Sequence, residues 1–131
     1  MSVYGDILDE LLAQGIVGGE WTTSREYTPL SSVQTMPYAY AFMRGHSAEQ
    51  LEWVQEARTF EAVLVVAARD ETQEAFYARV DGVVDSLYAQ PNRTLNGNID
   101  TFYVSQIVVA ELERPANGKA AAITVTCQRS Q

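Results

Sequence analysis

RTFEAVLVVAAR (residues 58–69), followed at once by DETQEAFYARVDGVVDSLYAQP (residues 70–91), settles the class of fold. In the first piece Phe60, Ala62, Leu64 and Val66 alternate with Val63, Val65 and Ala67. A strand sends successive side chains to opposite faces, and apolar residues on both mark a central strand covered on both sides. The second piece changes period: Phe76, Val80, Val83, Val84 and Leu87 recur three or four apart, the spacing that lines one stripe of a helix. Asp70 with Gln73 three positions on reads as a capping pair, and Pro91 lies beyond the helix end. Gly82 inside this helix costs about 1 kcal/mol relative to Ala, which hints at close packing around it.

Working upstream, MPYAYAFMR (residues 36–44) alternates Tyr38, Tyr40 and Phe42 with Ala39, Ala41 and Met43, so one strand face is aromatic and the other small. SAEQLEWVQEAR (residues 47–58) fits a capping box over Ser47 and Gln50, but Leu51, Trp53 and Gln55 also fit a period of two, and a strand is the preferred reading. At the start of the chain Val3, Ile7, Leu8, Leu11 and Leu12 give an amphipathic helix that covers a sheet, with Ser2 placed to cap it and Gly15 to end it. Residues 15–36 form a long loop with three Gly, one Pro and seven Ser or Thr. Structureless connections of this length are uncommon in compact domains. Its Ile16, Val17, Trp21, Tyr27 and Leu30 either cover the domain's own core or reach a neighbouring subunit.

Downstream, IDTFYVSQIVVAELE (residues 99–113) places Phe102, Val104, Gln106 and Val108 on one strand face, with Tyr103, Ser105, Ile107 and Val109 on the other. Asn117-Gly118 is a strong hairpin signal joining this strand to AAAITVTCQR (residues 120–129). The expected fold is α+β: one domain over residues 1–131, a mainly antiparallel β-sheet covered by two α-helices, and a long loop after the first helix.

Seventeen acids against nine bases give a formal net charge of −8. Strong duplex binding runs on clustered Lys and Arg that neutralise phosphates, so tight DNA binding is not expected. Cys127 is the only cysteine, which excludes a disulfide framework and a Cys-rich zinc site. The acidic N-terminus does not read as a secretory signal, and no apolar run approaches the ~18 residues of a membrane span; the expectation is a soluble protein assembled in the cytoplasm. GIVGGEW and LNGN lack the Lys-Ser/Thr of a phosphate loop. His46, the single histidine, sits in a turn-like RGHSAE with no second histidine to share a metal. Asp81 and Asp85 lie on one helix face without a partner that would make them an acid–base pair. No enzyme, cofactor or metal is expected.

Of the nine bases eight are Arg, and seven Tyr and two Trp accompany them, residue types enriched at protein interfaces. The layout of short helix with Ile7, Leu11 and Leu12, polar loop, strand at Met36-Pro37-Tyr38, strand at residues 60–68, helix at 71–88 and closing hairpin through residues 123–125 resembles the tail terminator (tail completion) proteins of long-tailed bacteriophages and the related head–tail neck or joining proteins. The resemblance implies a ring, usually hexameric, that caps the tail tube, ends its polymerisation and offers a joining surface to the neck or head–tail connector protein. DNA passes through the ring, and the site of action is the virion tail or neck. Candidate contacts with a neighbouring subunit or the tube are Trp21, Arg25, Tyr27, Leu30 and Arg44, and candidate lumen-facing residues are Glu111 and Glu113. The loop at residues 15–36 is expected to be mobile in the free subunit and ordered on assembly. Two alternatives stand beside this reading: a neck protein that does not terminate the tube, and a small ligand-binding or enzymatic α/β domain with a pocket lined by Trp21, Trp53 and Tyr38.

Overall fold

The computed structural model describes residues 3–16, 21–25, 37–50, 56–69, 71–89, 93–112 and 118–130. Helix α1 spans Val3–Gly15 and α2 spans Gln73–Tyr88. The strands are β1 (Thr22–Ser24), β2 (Tyr38–Gln50), β3 (Glu56–Arg69), β4 (Thr101–Leu112) and β5 (Gly118–Ser130). They form one sheet in the order β1-β2-β3-β5-β4. Three of the pairings are antiparallel, as expected of a mainly antiparallel sheet, and β1 runs parallel to β2, which makes the sheet mixed. β1 also corrects the reading of residues 15–36 as loop throughout. Three residues are too few to show an alternation, and the strand is fixed from outside by its pairing with Tyr38, Ala39 and Tyr40.

Residues 47–58 do not make a strand of their own. The first four complete β2 and the last three begin β3; residues 51–55, with Trp53, lie outside the described residues. RGHSAE is likewise strand, and the ladder of β2 slips by one between Met43 and Gly45. From β3 the chain crosses back through α2, lays β4 one position away from β3, and returns as β5 into the gap between them. A second bulge, between Val104 and Gln106, leaves Ser105 without a register partner. An extra residue slides the two-residue alternation by one. Ile107 and Val109, opposite Ile123 and Ala121, therefore join Phe102 and Val104 on one face, whereas unbroken alternation would put them on the other.

Both helices pack on the face that carries Phe60, Ala62, Leu64 and Val66 of β3 and Ile123, Val125 and Cys127 of β5. Ile7 and Leu11 of α1 and Phe76 and Leu87 of α2 are fully enclosed there. Tyr38, Tyr40, Val63 and Val65 make a second buried cluster, on the opposite face by their register. The helices thus do not cover the sheet as expected. Strands of 12 to 14 residues are about 40–45 Å long, whereas helices of 13 and 16 residues reach only about 20–24 Å. Tyr103, Ile107, Val108 and Val109 of β4 stay exposed.

Gly15 ends α1 as expected, Ser2, Pro91 and Asn117 lie outside the described residues, and the start of α2 differs from the expectation. Its cap is Thr72, whose Oγ1 accepts from the Ala75 amide at 3.1 Å, and not Asp70, which lies outside the described residues. The turn that leads into β4 runs through Leu95, Asn96 and Gly97, all with positive φ, and is closed by the Ile99 amide on the Thr94 carbonyl. Leu95 is an unusual residue for that conformation. Its side chain is completely buried, so the turn is anchored to the core through a residue that resists the backbone it adopts.

The two glycines that matter behave oppositely. An added Cβ at Gly82 meets nothing within 4 Å, so the expected close packing is absent. At Gly118 it would sit 2.6 Å from the Ala68 carbonyl oxygen. Gly82→Ala is expected to raise the stability of the isolated protein by about 0.5–1 kcal/mol in denaturant titration, while Gly118→Ala lowers it.

Candidate interaction surface

β4 is built from residues that favour a pleated surface, and among the described residues β5 is the one strand that pairs with it, so one side of its backbone is a sheet edge. Exposed edges offer unpaired amides and carbonyls to any other chain, and proteins usually blunt them with charges, prolines, bulges or covering loops. The first half of β4 is treated in this way. Tyr88, the last residue of α2, accepts a hydrogen bond from the Val104 amide at 2.7 Å and stacks on Phe102, with the rings 6.0 Å apart. The Arg93 guanidinium lies over the Tyr88 ring at 4.8 Å. At the bulge Ser105 donates to the Thr124 carbonyl and accepts from the Thr126 hydroxyl.

Beyond Ser105 the protection stops. Gln106, Ile107, Val108, Val109 and Ala110 are all exposed, with Ile107 and Val109 at 41% and Val108 at 51%. The run from Val104 to Ala110 holds no charged residue and no proline. Its apolar side chains emerge on both faces, since Ile107 and Val109 share the helix-side rows while Val108 is paired with Ala122 on the other. Contiguous apolar exposure of this kind marks an interaction site or an aggregation hazard.

Trp21 and Arg25 are brought together beside α1. Trp21 is half-buried against the helix-side core with the Arg79 guanidinium 5.2 Å over its ring, and Arg79 is held by Glu71 through Nε bonds of 3.1 and 3.2 Å. Arg25 donates to the Asp9 carboxylate and to the Gly5 carbonyl, which ties the end of β1 to α1. Arg44 is not part of this group; it sits exposed at the β2 bulge, 3.9 Å from Glu61. Glu111 lies one residue before the end of β4, in register with Lys119, whose Nζ donates to the Glu71 carbonyl. Tyr27, Leu30 and Glu113 lie outside the described residues.

Two open grooves of about 510 Å³ flank Trp21, one against Ala75, Arg79 and Gly82 of α2 and the other against Asp9, Leu12 and Arg25. Neither includes Tyr38, which belongs to the cluster on the far face, so Trp21 and Tyr38 do not share a pocket. His46 is in β2 and not in a turn. Its ring stacks on Phe60 at 4.4 Å and its Nδ1 is 3.0 Å from the Tyr4 hydroxyl. Among the described residues no three His, Cys, Asp or Glu side chains are placed to hold a metal ion. No described helix is long and apolar enough to cross a membrane.

No known family matches the sequence, and no curated protein is similar to it. Among solved structures, the chain is similar in fold to the type 4 fimbrial biogenesis protein PilO from Pseudomonas aeruginosa, with a TM-score of 0.46 and 7% identity over 97% of this chain and 68% of that one. It is also similar to a chain of the virion of a native gene transfer agent (GTA) particle, with a TM-score of 0.49 and 11% identity over 99% of this chain and 92% of that one. These are likenesses of layout and assign no role.

Cys127 lies in the core against Phe60 and Phe102, and burial pushes its thiol from an ordinary 9.0 up to about 12. At neutral pH it is expected to resist alkylation in the native protein and to react once denaturant is added. The unfolded chain ionises this thiol above pH 9 while the folded one cannot, so its contribution to stability is intact below pH 9 and is lost as pH rises towards 12. Cys127→Ala is expected to flatten that part of the stability–pH curve.

Proposed function

We propose that the chain is a structural protein of a phage-like virion. Copies of it, six by the resemblance to tail terminator proteins, close into a ring that caps the tail tube, stops its polymerisation and presents a joining surface to the neck or head–tail connector protein. It acts by assembly and not by catalysis, with no cofactor, and its place is the virion tail or neck after assembly in the host cytoplasm. DNA passes through the ring without tight binding, in keeping with the net charge of −8. Glu111 and Glu113 are the candidates for the lumen wall, and Trp21, Arg25, Tyr27, Leu30 and Arg44 for contacts with neighbours or tube.

The observation that carries this reading is the bare, uncharged edge of β4. Full burial of a Val, Leu or Ile side chain is worth about 1.5–3 kcal/mol, so covering the exposed halves of Tyr103, Ile107, Val108 and Val109 gains roughly 3–6 kcal/mol. Bringing two proteins together costs on the order of 4–15 kcal/mol. One such contact barely holds a dimer. A closed ring of n copies makes n contacts for n−1 losses of rigid-body freedom, so closure favours the ring over open pairs.

Native mass spectrometry of the protein, alone and with the tube protein, is expected to find a closed ring, and tubes grown in its presence are expected to stop short. A strict monomer under both conditions would contradict the reading. In a gel shift at low salt, where electrostatic attraction is strongest, duplex DNA is expected to run free at micromolar protein; a retained band would move the protein to the DNA-binding class.

A further inference from the structure

We infer that the bare edge of β4 in one copy pairs with the outer edge of β2 in the next, around residues 41–48, so that the sheet runs on from subunit to subunit. The inference rests on the ring reading above and names the contact that would build it. Among the described residues the sheet has two edges. At one, β4 is open over residues 105–110 beyond the Tyr88 hydroxyl. At the other, β1 covers only Tyr38, Ala39 and Tyr40 of β2, and from Ala41 onward β2 has β3 on one side and no described strand on the other.

Three features match the two edges. First, β4 and β2 run in opposite directions within the sheet, because two antiparallel steps separate β2 from β5 and a third leads to β4. A copy rotated about an axis along the strands therefore presents its β2 antiparallel to β4, which extends the pattern already present and uses the more stable ladder. Second, both edges carry uncovered apolar side chains on corresponding faces. Phe42, 41% exposed, shares with Val108 the face opposite the helices, and half-buried Met43 shares with Ile107 and Val109 the helix side. Third, each copy carries a net charge of −8, so contact is easiest where acids are absent. Residues 104–110 hold no charge, and residues 41–48 hold one base, Arg44, and no acid. That base would meet a strand that carries Glu111 next to its end.

Two copies could instead join β4 to β4 about a twofold axis. That contact closes on itself and leaves Phe42 and the β2 edge uncovered, whereas β4 on β2 is a head-to-tail contact that covers both edges and allows a ring. The open stretches are not level: across the sheet, Phe42 lies in the row of Val63, Thr124 and Gln106, while Val108 lies in the row of Tyr40. The contact therefore requires a slip along the strands, as any closed sheet does.

Variants with one added cysteine, Phe42→Cys and Val108→Cys, test the pairing, since the native Cys127 is buried and silent. Each is assembled alone and the two are mixed, a short bismaleimide is added, and oligomeric state is followed in parallel by native mass spectrometry. The expected result is a cross-linked dimer that forms abundantly in the mixture and at background level in either protein alone. A strong cross-link with Val108→Cys alone would overturn the inference in favour of the twofold contact. A ring with no cross-link in the mixture would overturn the inference while leaving the ring intact. A monomer throughout would remove the ring and this contact with it. As a second readout, Arg44→Glu is expected to weaken assembly at least tenfold and high salt to worsen it little, and an unchanged assembly constant would count against the β2 edge.

Discussion

β5 is paired along its whole length with β3, from Ala57 to Arg69, and from Gly118 to Gln128 with β4 on its other side. Because it enters between two strands laid down earlier, it takes the central place and leaves β4 outside. This one insertion decides what is core and what is surface. Ile123, Val125 and Cys127 are enclosed against Phe60, Leu64 and both helices. β4, with as many β-branched residues as a central strand would carry, is left with a free backbone edge and apolar side chains in solvent.

The order of events along the chain explains why half of that edge is guarded. α2 ends at Tyr88, and the following turn, anchored by buried Leu95, brings the chain back beside it. Tyr88 can reach only the beginning of β4, where it takes the Val104 amide. The bulge at Ser105 then re-aims the strand, and everything after it lies beyond any side chain of α2 that could pair with it among the described residues. The helix-side core and the open edge are thus products of the same crossover. A strand with this composition is a liability in a monomer and an asset in an assembly.

Much of the fold was legible in local patterns. The alternation of residues 58–69 and the helical stripe of Phe76, Val80, Val83 and Leu87 correspond to β3 and α2, and the strands on either side of the hairpin signal, β4 and β5, pair antiparallel with β5 beginning at Gly118. What escaped depended on partners distant in sequence. β1 is a strand only because β2 lies beside it, and the bulges in β2 and β4 are set by register, which a single strand's pattern does not encode. The same limit hid the site. Residues 105–110 read as part of an ordinary strand, since nothing local says that a strand will be last in its sheet. The interface residues chosen for their type were Trp21, Arg25, Tyr27, Leu30 and Arg44, of which Tyr27 and Leu30 lie outside the described residues. Of these, Trp21 and Arg25 prove to be engaged within the chain, with Arg79 and with Asp9. Arg44 sits exposed on the part of β2 that β1 does not cover.

The central claim is that the backbone of residues 105–110 is an unsatisfied assembly surface, and amide hydrogen exchange reads that backbone directly. Exchange measured on the dilute subunit and again at concentrations that drive assembly should show the amides of this stretch that point away from β5 unprotected in the first and strongly protected in the second, while the β5 amides remain protected in both. Equal exchange at residues 105–110 in the two states, in a sample that has assembled, would contradict it.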